Sequence, residues 1–340
     1  MAGVAARAGV AVSTASLVFS GGGPVSEATR GKVLTAAAEL DYAGPDPRAR
    51  SLRRGRSGVI AVVIEERVID AFRDPVAIAF LDGIGQEISD SGAALLLVPD
   101  AGGGHTSLES AAMDAVVLVG CSPHVDRAVQ TARRRGVPVV SLGGTPFADV
   151  PAVELDDREA TATLAGHLRD LGHRRVATVT LPLGPERRRD RLTAEAVAAA
   201  TVRTAVERLA GARSVFPDMD GVVAASSRVE EGRVAGRELL AAPDRPTAVL
   251  AQSDLLAAGV ILAAEELGLS VPGDLSVVGF DGIRIDTVVP HDLTTMVQPA
   301  ADQGRAAAAL AIARIDGQDV ASEHFRSEFH RGGTTAPPRG

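Results

Sequence analysis

The apolar residues of this chain are spaced differently before and after about residue 58. In the first part they recur at helical intervals. Val4, Ala5 and Ala8 share one helical face, and Gly9 ends that pattern. A second segment runs from Val12 to Phe19. Ser26 is placed to cap a third helix, whose apolar positions are Val33, Leu34, Ala37 and Leu40. The pattern predicts a small, all-helical head.

From Val59 onward, short continuous apolar runs alternate with amphipathic helices. Strands that are buried on both faces of a parallel sheet require such runs. The first series is Val59–Ile64, Ala93–Val98, Ala115–Val119 and Val137–Leu142, and the second is Val176–Thr180, Gly221–Ala225, Thr247–Ala251 and Leu275–Val278. An α/β body with two parallel-sheet lobes is predicted, with a ligand cleft beyond the carboxyl ends of the strands.

The charge of the chain is distributed unevenly. The net charge is −8, yet residues 1–58 contain eight Lys/Arg against four Asp/Glu. A basic head can approach a polyanion while the acidic body stays away from it. Cys121 is the only cysteine, which fits a reducing cytoplasm and predicts a buried, inert thiol. No apolar stretch approaches the ~20 residues that span a bilayer.

The segment VAARAGVAVSTASLVF contains the small residues that a helix-turn-helix needs. Ala5 would let the second helix cross close to the first, and Gly9 would accept the tight turn between them. The side chains predicted to contact DNA lie on the second helix. They are Val12, Ser13 and Leu17 at base edges, with Thr14 and Ser16 near phosphates.

Several motifs occur in one order along the chain. AxxAGVxxSTxSxV is followed by PVSEATRGKVLTAAAELDY, PDPRARSLRRGRSG, DLGHRRVATV, VPGDLSVVGFDG and LTTMVQP. This order closely resembles the lactose-repressor (LacI-type) family of bacterial transcription regulators, over essentially the whole chain. The resemblance implies a cytoplasmic homodimer, in some members paired into tetramers. Such a protein binds palindromic double-stranded operator DNA, usually as a repressor, and a small, sugar-like effector sets its DNA affinity.

The resemblance also implies a domain organisation. A helix-turn-helix head (1–44) and a hinge (45–58) would precede a periplasmic-binding-protein-like core (59–340) for effector binding and dimerisation. The chain is expected to cross between the lobes near Leu155, Met296 and Ser322. Lobe 1 would then comprise about 59–155 and 297–322, and lobe 2 about 156–296 and 323–332. The alternation in HFRSEFH (324–330) predicts an ordinary strand.

The hinge matches a family segment that folds into a short helix only on DNA. The family's wedge leucine corresponds to Leu52, which would enter the minor groove and kink the duplex. Arginines around it would lie along phosphates and make binding dependent on salt. They are Arg48, Arg50, Arg53, Arg54 and Arg56. The alternative is a solvated basic linker without a specific role.

Asp281, in GFDG, matches the family's acidic residue in the effector cleft, where a carboxylate can accept hydrogen bonds from sugar hydroxyls. The alternative is an aspartate that only stabilises the turn before Gly282. Ser253 is expected to contact the effector and Asp254 to cap the following helix. Phe72 and Asp74 are expected on a loop of the first lobe that faces the cleft.

The chain departs from the family at three places. The family usually has several more residues before Val4, so a shortened first helix is expected. Leu17 replaces an arginine that reads guanine. The family's effector-binding arginine, in an R-x-x-G-F pattern, is aligned with Ala198, and Arg187, Arg188 or Arg191 is predicted to substitute for it.

Two other functional classes are alternatives to the regulator. GVAVSTASLVF faintly resembles a signal peptide, and the chain would then be an exported solute-binding protein without DNA activity. An exported protein, however, has no use for the third helix and the arginine-rich hinge. An α/β enzyme lacks support, because G-x-S-x-G, P-loop, H-E-x-x-H and C-x-x-C motifs are all absent. The seven histidines have no ligand spacing, so neither a metal nor a cofactor is predicted.

Overall fold

A computed structural model describes most of the chain and divides it into two compact units, Met1–Gly58 and Val59–Gly340. The described residues are 1–20, 23–44, 55–64, 68–99, 107–120, 125–144, 147 and 149–339. Several residues with predicted roles lie outside these ranges: Arg48, Arg50, Leu52, Arg53, Arg54 and Cys121.

In the described residues of the first unit the chain forms the helices α1 (Ala2–Ala8), α2 (Val12–Ser20) and α3 (Glu27–Glu39). Gly9 ends α1 in the left-handed conformation, with φ 65°, which glycine adopts without strain. Ser26 caps α3, because its Oγ accepts a hydrogen bond from the Thr29 amide at 3.3 Å. Apolar side chains of all three helices form one small core, which comprises Val4, Ala5, Ala15, Val18, Val33, Ala36 and Ala37.

None of the helices in the described ranges is by itself long and apolar enough to cross a membrane. Helices α1 and α2 reach the necessary length and apolar composition only when they are taken together, and they are bent by 103° relative to each other.

The second unit contains two sheets of predominantly parallel strands. The first sheet has the order β12-β5-β4-β3-β1-β2 and is parallel throughout. Its strands are β1 (Val59–Ile64), β2 (Ala94–Pro99), β3 (Ala115–Val119), β4 (Val139–Leu142), β5 (Ala152–Leu155) and β12 (Glu323–Phe325). We call this sheet with its helices the first lobe.

The second sheet has the order β13-β11-β10-β9-β6-β8-β7, and its two edge strands β13 and β7 run antiparallel to their neighbours. Its strands are β6 (Val176–Thr180), β7 (Asp190–Arg191), β8 (Asp220–Val223), β9 (Ala248–Ala251), β10 (Ser276–Asp281), β11 (Thr294–Val297) and β13 (Glu328–His330). This sheet belongs to the second lobe. The predicted fold class, a helical head before a two-lobed α/β core, is confirmed.

Helices cover both faces of each sheet, which is why the strands are apolar without alternation. The helices of the first lobe are α4 (Val68–Ala71), α5 (Pro75–Ser91), α6 (Ser107–Ser110), α7 (Val125–Arg134) and α13 (Ala300–Ile315). Those of the second lobe are α8 (Asp157–Asp170), α9 (Ala194–Ala198), α10 (Arg203–Val215), α11 (Val229–Leu240) and α12 (Asp254–Glu266). In β1, for example, Ile60 and Val62 face α5 and α13, whereas Ala61 and Val63 face α6 and α7.

The chain passes between the lobes after β5, after β11 and after β12. The first passage follows Leu155, the last residue of β5, and the second follows Val297, the last residue of β11. The third was predicted near Ser322, but it lies between Phe325 and Glu328, because β12 still pairs with β5 of the first lobe. The prediction of one strand through HFRSEFH was therefore wrong, since its two halves pair in different sheets. Asp156, in the first passage, accepts hydrogen bonds from the amide and the hydroxyl of Ser327, in the third passage, at 2.8 and 2.9 Å.

Glycines let several helix pairs approach closely, and Gly83 on α5 is the tightest case. A Cβ atom there would lie 1.9 Å from the Ala301 carbonyl oxygen of α13. Gly85, on the same helix, has no heavy atom within 4 Å of the corresponding position. We expect Gly83→Ala to lower the free energy of unfolding by about 1–3 kcal/mol because the helices must separate. Gly85→Ala should instead raise it by up to about 1 kcal/mol through helix propensity. Equal effects of the two variants in urea unfolding would contradict this packing.

Candidate functional site

The outer face of α2 presents the side chains that were predicted to contact DNA. Val12 and Leu17 are 51% and 39% exposed. Ser13 is also exposed, whereas Thr14 and Ser16 are partly buried. The opposite face of α2 packs through Ala15 and Val18 into the core of the head. The structure thus places the predicted base-contacting residues on the solvent side of one short helix.

The positive charge of the first 58 residues does not belong to the helices. Residues 1–44 contain three basic and three acidic side chains, whereas residues 45–58 contain five arginines and one aspartate. Two of the three basic groups are also paired within the head. Arg7 Nε lies 2.6 Å from Glu39 Oε2, and Arg30 Nε lies 3.6 Å from Glu27 Oε1. The attraction of the head to a polyanion therefore depends mainly on the arginine-rich segment.

In the core, Asp281 stands at the carboxyl end of β10, where ligands bind in such sheets. Its Oδ1 accepts hydrogen bonds from Gln298 Nε2 at 2.7 Å and from Arg208 Nη1 at 3.4 Å. The backbone of Asp281 has φ 124°, a strained conformation for a residue with a side chain. Gly282 follows with φ 77°, and a Cβ atom there would lie 2.6 Å from Val297 Cγ1. The local backbone therefore holds the Asp281 carboxylate in a fixed, strained position.

Arg208, on α10, is the centre of this cluster. Its Nε donates to Asp157 Oδ1 at 2.7 Å, and its Nη1 donates to the Gln252 carbonyl oxygen at 2.6 Å. The guanidinium lies over the Phe280 ring, with Cζ 3.5 Å from the ring centroid. Only 5% of the Arg208 side chain is exposed. A guanidinium held by two carboxylates, a carbonyl and an aromatic ring is fixed in one orientation.

Burial and the opposing charges act on the pKa values of this cluster. Burial raises the pKa of Asp281 to about 7; the charge of Arg208 opposes this shift, and the charge of Asp74 adds to it. Burial also raises the pKa of Asp157 above its usual range, against the effect of Arg208. For Arg208, burial acts to lower the pKa, but Asp157 and Asp281 outweigh it and the pKa is raised. Arg208 therefore stays charged, while Asp281 titrates close to neutral pH.

A cavity of about 510 Å³ lies beside this cluster at the junction of the lobes. Its walls come from both lobes and include Gly143, Gly144 and Glu154 of the first and Asp157, Arg203 and Thr204 of the second. Arg203 Nη1 lies 3.4 Å from Glu154 Oε1, so an ion pair joins the lobes at its rim. Asp157 lines the cavity and also pairs with Arg208, so this residue connects the cavity wall to the cluster.

Ser253 takes the capping role that was expected of Asp254. Ser253, not Asp254, caps α12, because its Oγ accepts from the Leu256 amide at 3.2 Å. The prediction that Asp254 caps this helix was wrong by one residue. Asp254 lies inside the first turn and accepts from Thr295 Oγ1 at 2.6 Å and from the Ile283 amide at 2.8 Å. An effector contact by Ser253 would need a hydroxyl that is buried and already occupied by the cap.

The remaining predicted cleft residues are dispersed. Phe72 is exposed, and Asp74 caps α5 by accepting from the Val76 amide at 2.9 Å. The charge of Asp74 contributes to the raised pKa of Asp281. Arg191 lies on the edge strand β7, where its Nη2 is 3.1 Å from Asp220 Oδ2 and its side chain is 71% exposed. The structure therefore does not bring Arg191 to the Asp281 cluster.

The cluster arginine was missed in the sequence because the family pattern was placed too early. Ala198 lies on the short helix α9, whereas Arg208 begins the segment Arg-Leu-Ala-Gly-Ala on α10. This segment keeps the R-x-x-G spacing and differs only at its last position. Gly211 in it is required, because a Cβ atom there would lie 2.2 Å from the Arg158 carbonyl oxygen of α8. The R-x-x-G spacing at 208–211 was the available signal.

Known proteins resemble both parts of the chain. A family model described as bacterial regulatory proteins, lacI family, matches residues 1–44, and one described as periplasmic binding protein-like domain matches residues 165–335. The HTH-type transcriptional regulator IpsA of Corynebacterium glutamicum is 32% identical over an alignment of 358 positions that covers 99% of this chain and 97% of that protein.

Solved structures agree with this similarity. The transcriptional regulator CelR in complex with cellobiose is 28% identical, with a TM-score of 0.67 and 98% of both chains covered. The lac repressor dimer bound to operator and the anti-inducer ONPF has the same coverage, 23% identity and a TM-score of 0.78, and shows the common fold. The match of the head favours a regulator over an exported solute-binding protein. The chain therefore belongs to the lacI family of bacterial regulatory proteins.

Proposed function

We propose that this regulator acts in the cytoplasm as a homodimeric repressor of a palindromic operator, and that a neutral, sugar-like effector bound between the lobes controls its DNA affinity. The observation that carries the effector site is the buried Asp281–Arg208–Gln298 cluster at the end of β10, beside the cavity at the lobe junction. The protein is expected to act by binding alone, without a catalytic step.

The chemistry of the cluster supports a ligand rich in hydroxyl groups. Asp281 can accept hydrogen bonds from hydroxyls, and Arg208 can donate to them. Among the described residues around the cluster, Asp74, Asp157 and Asp281 are acidic and Arg208 is already paired with two of them. An anionic sugar phosphate would meet this acidic surplus, so an uncharged sugar is favoured. The relative CelR, whose solved complex contains cellobiose, is consistent with this class.

The test of the proposed function is selection of binding sites from random DNA with the full chain. A two-fold symmetric dimer requires a two-fold symmetric site, so a palindromic consensus is expected. A thermal-shift screen of neutral sugars, polyols and sugar phosphates would then supply an effector. Addition of this effector should change the affinity of the protein for the selected DNA site. Recovery of only asymmetric or sequence-neutral DNA would overturn the proposal.

Leu52→Ala is expected to weaken binding to the selected site and to reduce its bending, while binding to random DNA changes little. The reason is that a leucine wedge acts only in a kinked minor groove, whereas arginines supply the sequence-neutral attraction. Ser51→Ala, at the neighbouring position, is the matched control and should leave both affinities unchanged. Equal losses on the selected site and on random DNA, measured at one salt concentration, would show that Leu52 is not a wedge.

A further inference from the structure

We propose that α2 chooses operator bases through the methyl groups of thymines, which Val12 and Leu17 contact in the major groove. This inference rests on the proposed DNA-binding function and specifies its chemistry. It differs from the common mode of recognition, in which charged or amide side chains pair with base edges.

The composition of α2 restricts what it can read. The helix has the sequence VSTASLVFS and carries no basic, acidic or amide side chain. Guanine is read by Arg or Lys, adenine by Asn or Gln, and cytosine by Glu or Asp. None of these is available on α2. The hydroxyls of its serines and threonine can donate or accept, so they discriminate weakly between bases. Apolar contact with the thymine methyl is the one selective interaction left.

The exposed side chains of α2 also favour apolar contact with a thymine methyl group. Its two large exposed side chains are apolar, Val12 at 51% and Leu17 at 39%. They are not needed for the core of the head, which is formed on the other face by Ala15 and Val18. Leu17 packs against Gly23. Its Cδ2 lies 3.2 Å from the position that a Cβ atom of Gly23 would occupy. Leu17 is therefore held in place, with part of its surface left open for a methyl group.

The charge distribution separates this selective contact from general attraction. Residues 1–44 are net neutral by count, and the surplus of arginine lies in residues 45–58. Electrostatic binding to phosphates is independent of base sequence. Removing a thymine methyl changes no charge and no hydrogen-bonding group, so it probes the α2 contact alone.

The experiment uses the full chain and the site returned by selection from random DNA. Each thymine of one half-site is replaced in turn by deoxyuridine, and affinity is measured at one salt concentration. We expect about a fourfold loss at each thymine that faces Val12 or Leu17, and none at thymines outside the half-sites. In Leu17→Ala and Val12→Ala, the corresponding deoxyuridine penalty should disappear, because residue and methyl form one contact.

Two further variants sharpen the result. Leu17→Arg should move the selected base at one position to guanine. Ser20→Ala, at the exposed end of the same helix, is the matched control and should keep every deoxyuridine penalty. Circular dichroism and thermal unfolding should be unchanged in all of them, because the replaced side chains are exposed.

The outcomes separate the two proposals. Failure to select any specific site would refute the proposed function itself. A specific site that tolerates deoxyuridine everywhere would refute only the methyl contact. The same holds if the penalties persist in Leu17→Ala and Val12→Ala, and the protein would then remain a sequence-specific regulator.

Discussion

Arg208→Ala is expected to lower the free energy of unfolding by about 3–5 kcal/mol at pH 8, because removing one partner of a buried ion pair leaves an uncompensated charge. Arg208 is 5% exposed, and the side chains of its partners Asp157 and Asp281 are 15% and 10% exposed. Little solvent is available to screen the two carboxylates once the guanidinium is gone. The loss is measured by urea unfolding of the ligand-free protein.

The destabilisation of Arg208→Ala, measured as the loss in free energy of unfolding, should become smaller as the pH falls. The pKa of Asp281 is already raised to about 7, and that of Asp157 is raised as well. Without Arg208 both would rise further. A carboxyl group whose folded pKa exceeds its unfolded value favours the folded state below the unfolded pKa, and that contribution is lost as the pH rises through the folded pKa. Protonation at pH 5 should therefore recover much of the stability of Arg208→Ala.

Arg191→Ala is the matched control for Arg208→Ala. Arg191 also pairs with an aspartate, but both side chains are exposed, and such pairs contribute little to stability. It should unfold as the parent protein does at either pH. Similar losses for the two variants would mean that the Arg208 cluster is not a tightly coupled buried network.

Asp281→Asn and Asp281→Ala are expected to bind operator but to lose the response to the effector, with effector affinity lowered about ten- to a hundredfold. The ionised carboxylate accepts hydrogen bonds from ligand hydroxyls, so the effector binds the ionised form preferentially. Because the pKa of Asp281 is about 7, effector affinity of the parent protein should fall as the pH drops below 7, by up to tenfold per unit. Asp281→Asn cannot titrate and should show a flat profile.

Calorimetry of effector binding at pH 6, 7 and 8, paired with thermal unfolding of the free protein, checks this prediction. Asp220→Asn is the control, because Asp220 is exposed and pairs with Arg191 in the same lobe. A variant of Asp281 with normal effector affinity and a lowered melting temperature would assign this residue to bracing the turn before Gly282.

The sequence by itself was sufficient for the features that local chemistry controls. The apolar runs predicted strands such as β1 and β6 to the residue, because a strand buried on both faces has no other pattern. Gly9 and Ser26 marked helix ends. Few residues other than glycine adopt a left-handed backbone, and few side chains other than that of serine or its analogues accept from a free amide at a helix start. The run Leu275–Val278 predicted β10 but not its carboxyl end, because the strand continues to Asp281.

Only the tertiary structure decided which distant groups meet. Arg208 lies 51 residues from Asp157 and 73 from Asp281 along the chain, so the R-x-x-G spacing in its own helix does not identify its partners. HFRSEFH has one alternating pattern but two strands, because its halves reach different sheet edges. That Ser253 caps α12, while Asp254 accepts a hydrogen bond from the Ile283 amide, depended on where this helix begins relative to β10. Spacing along the chain encodes the burial of each face, whereas charge pairing and strand partners depend on which segments the two lobes bring together.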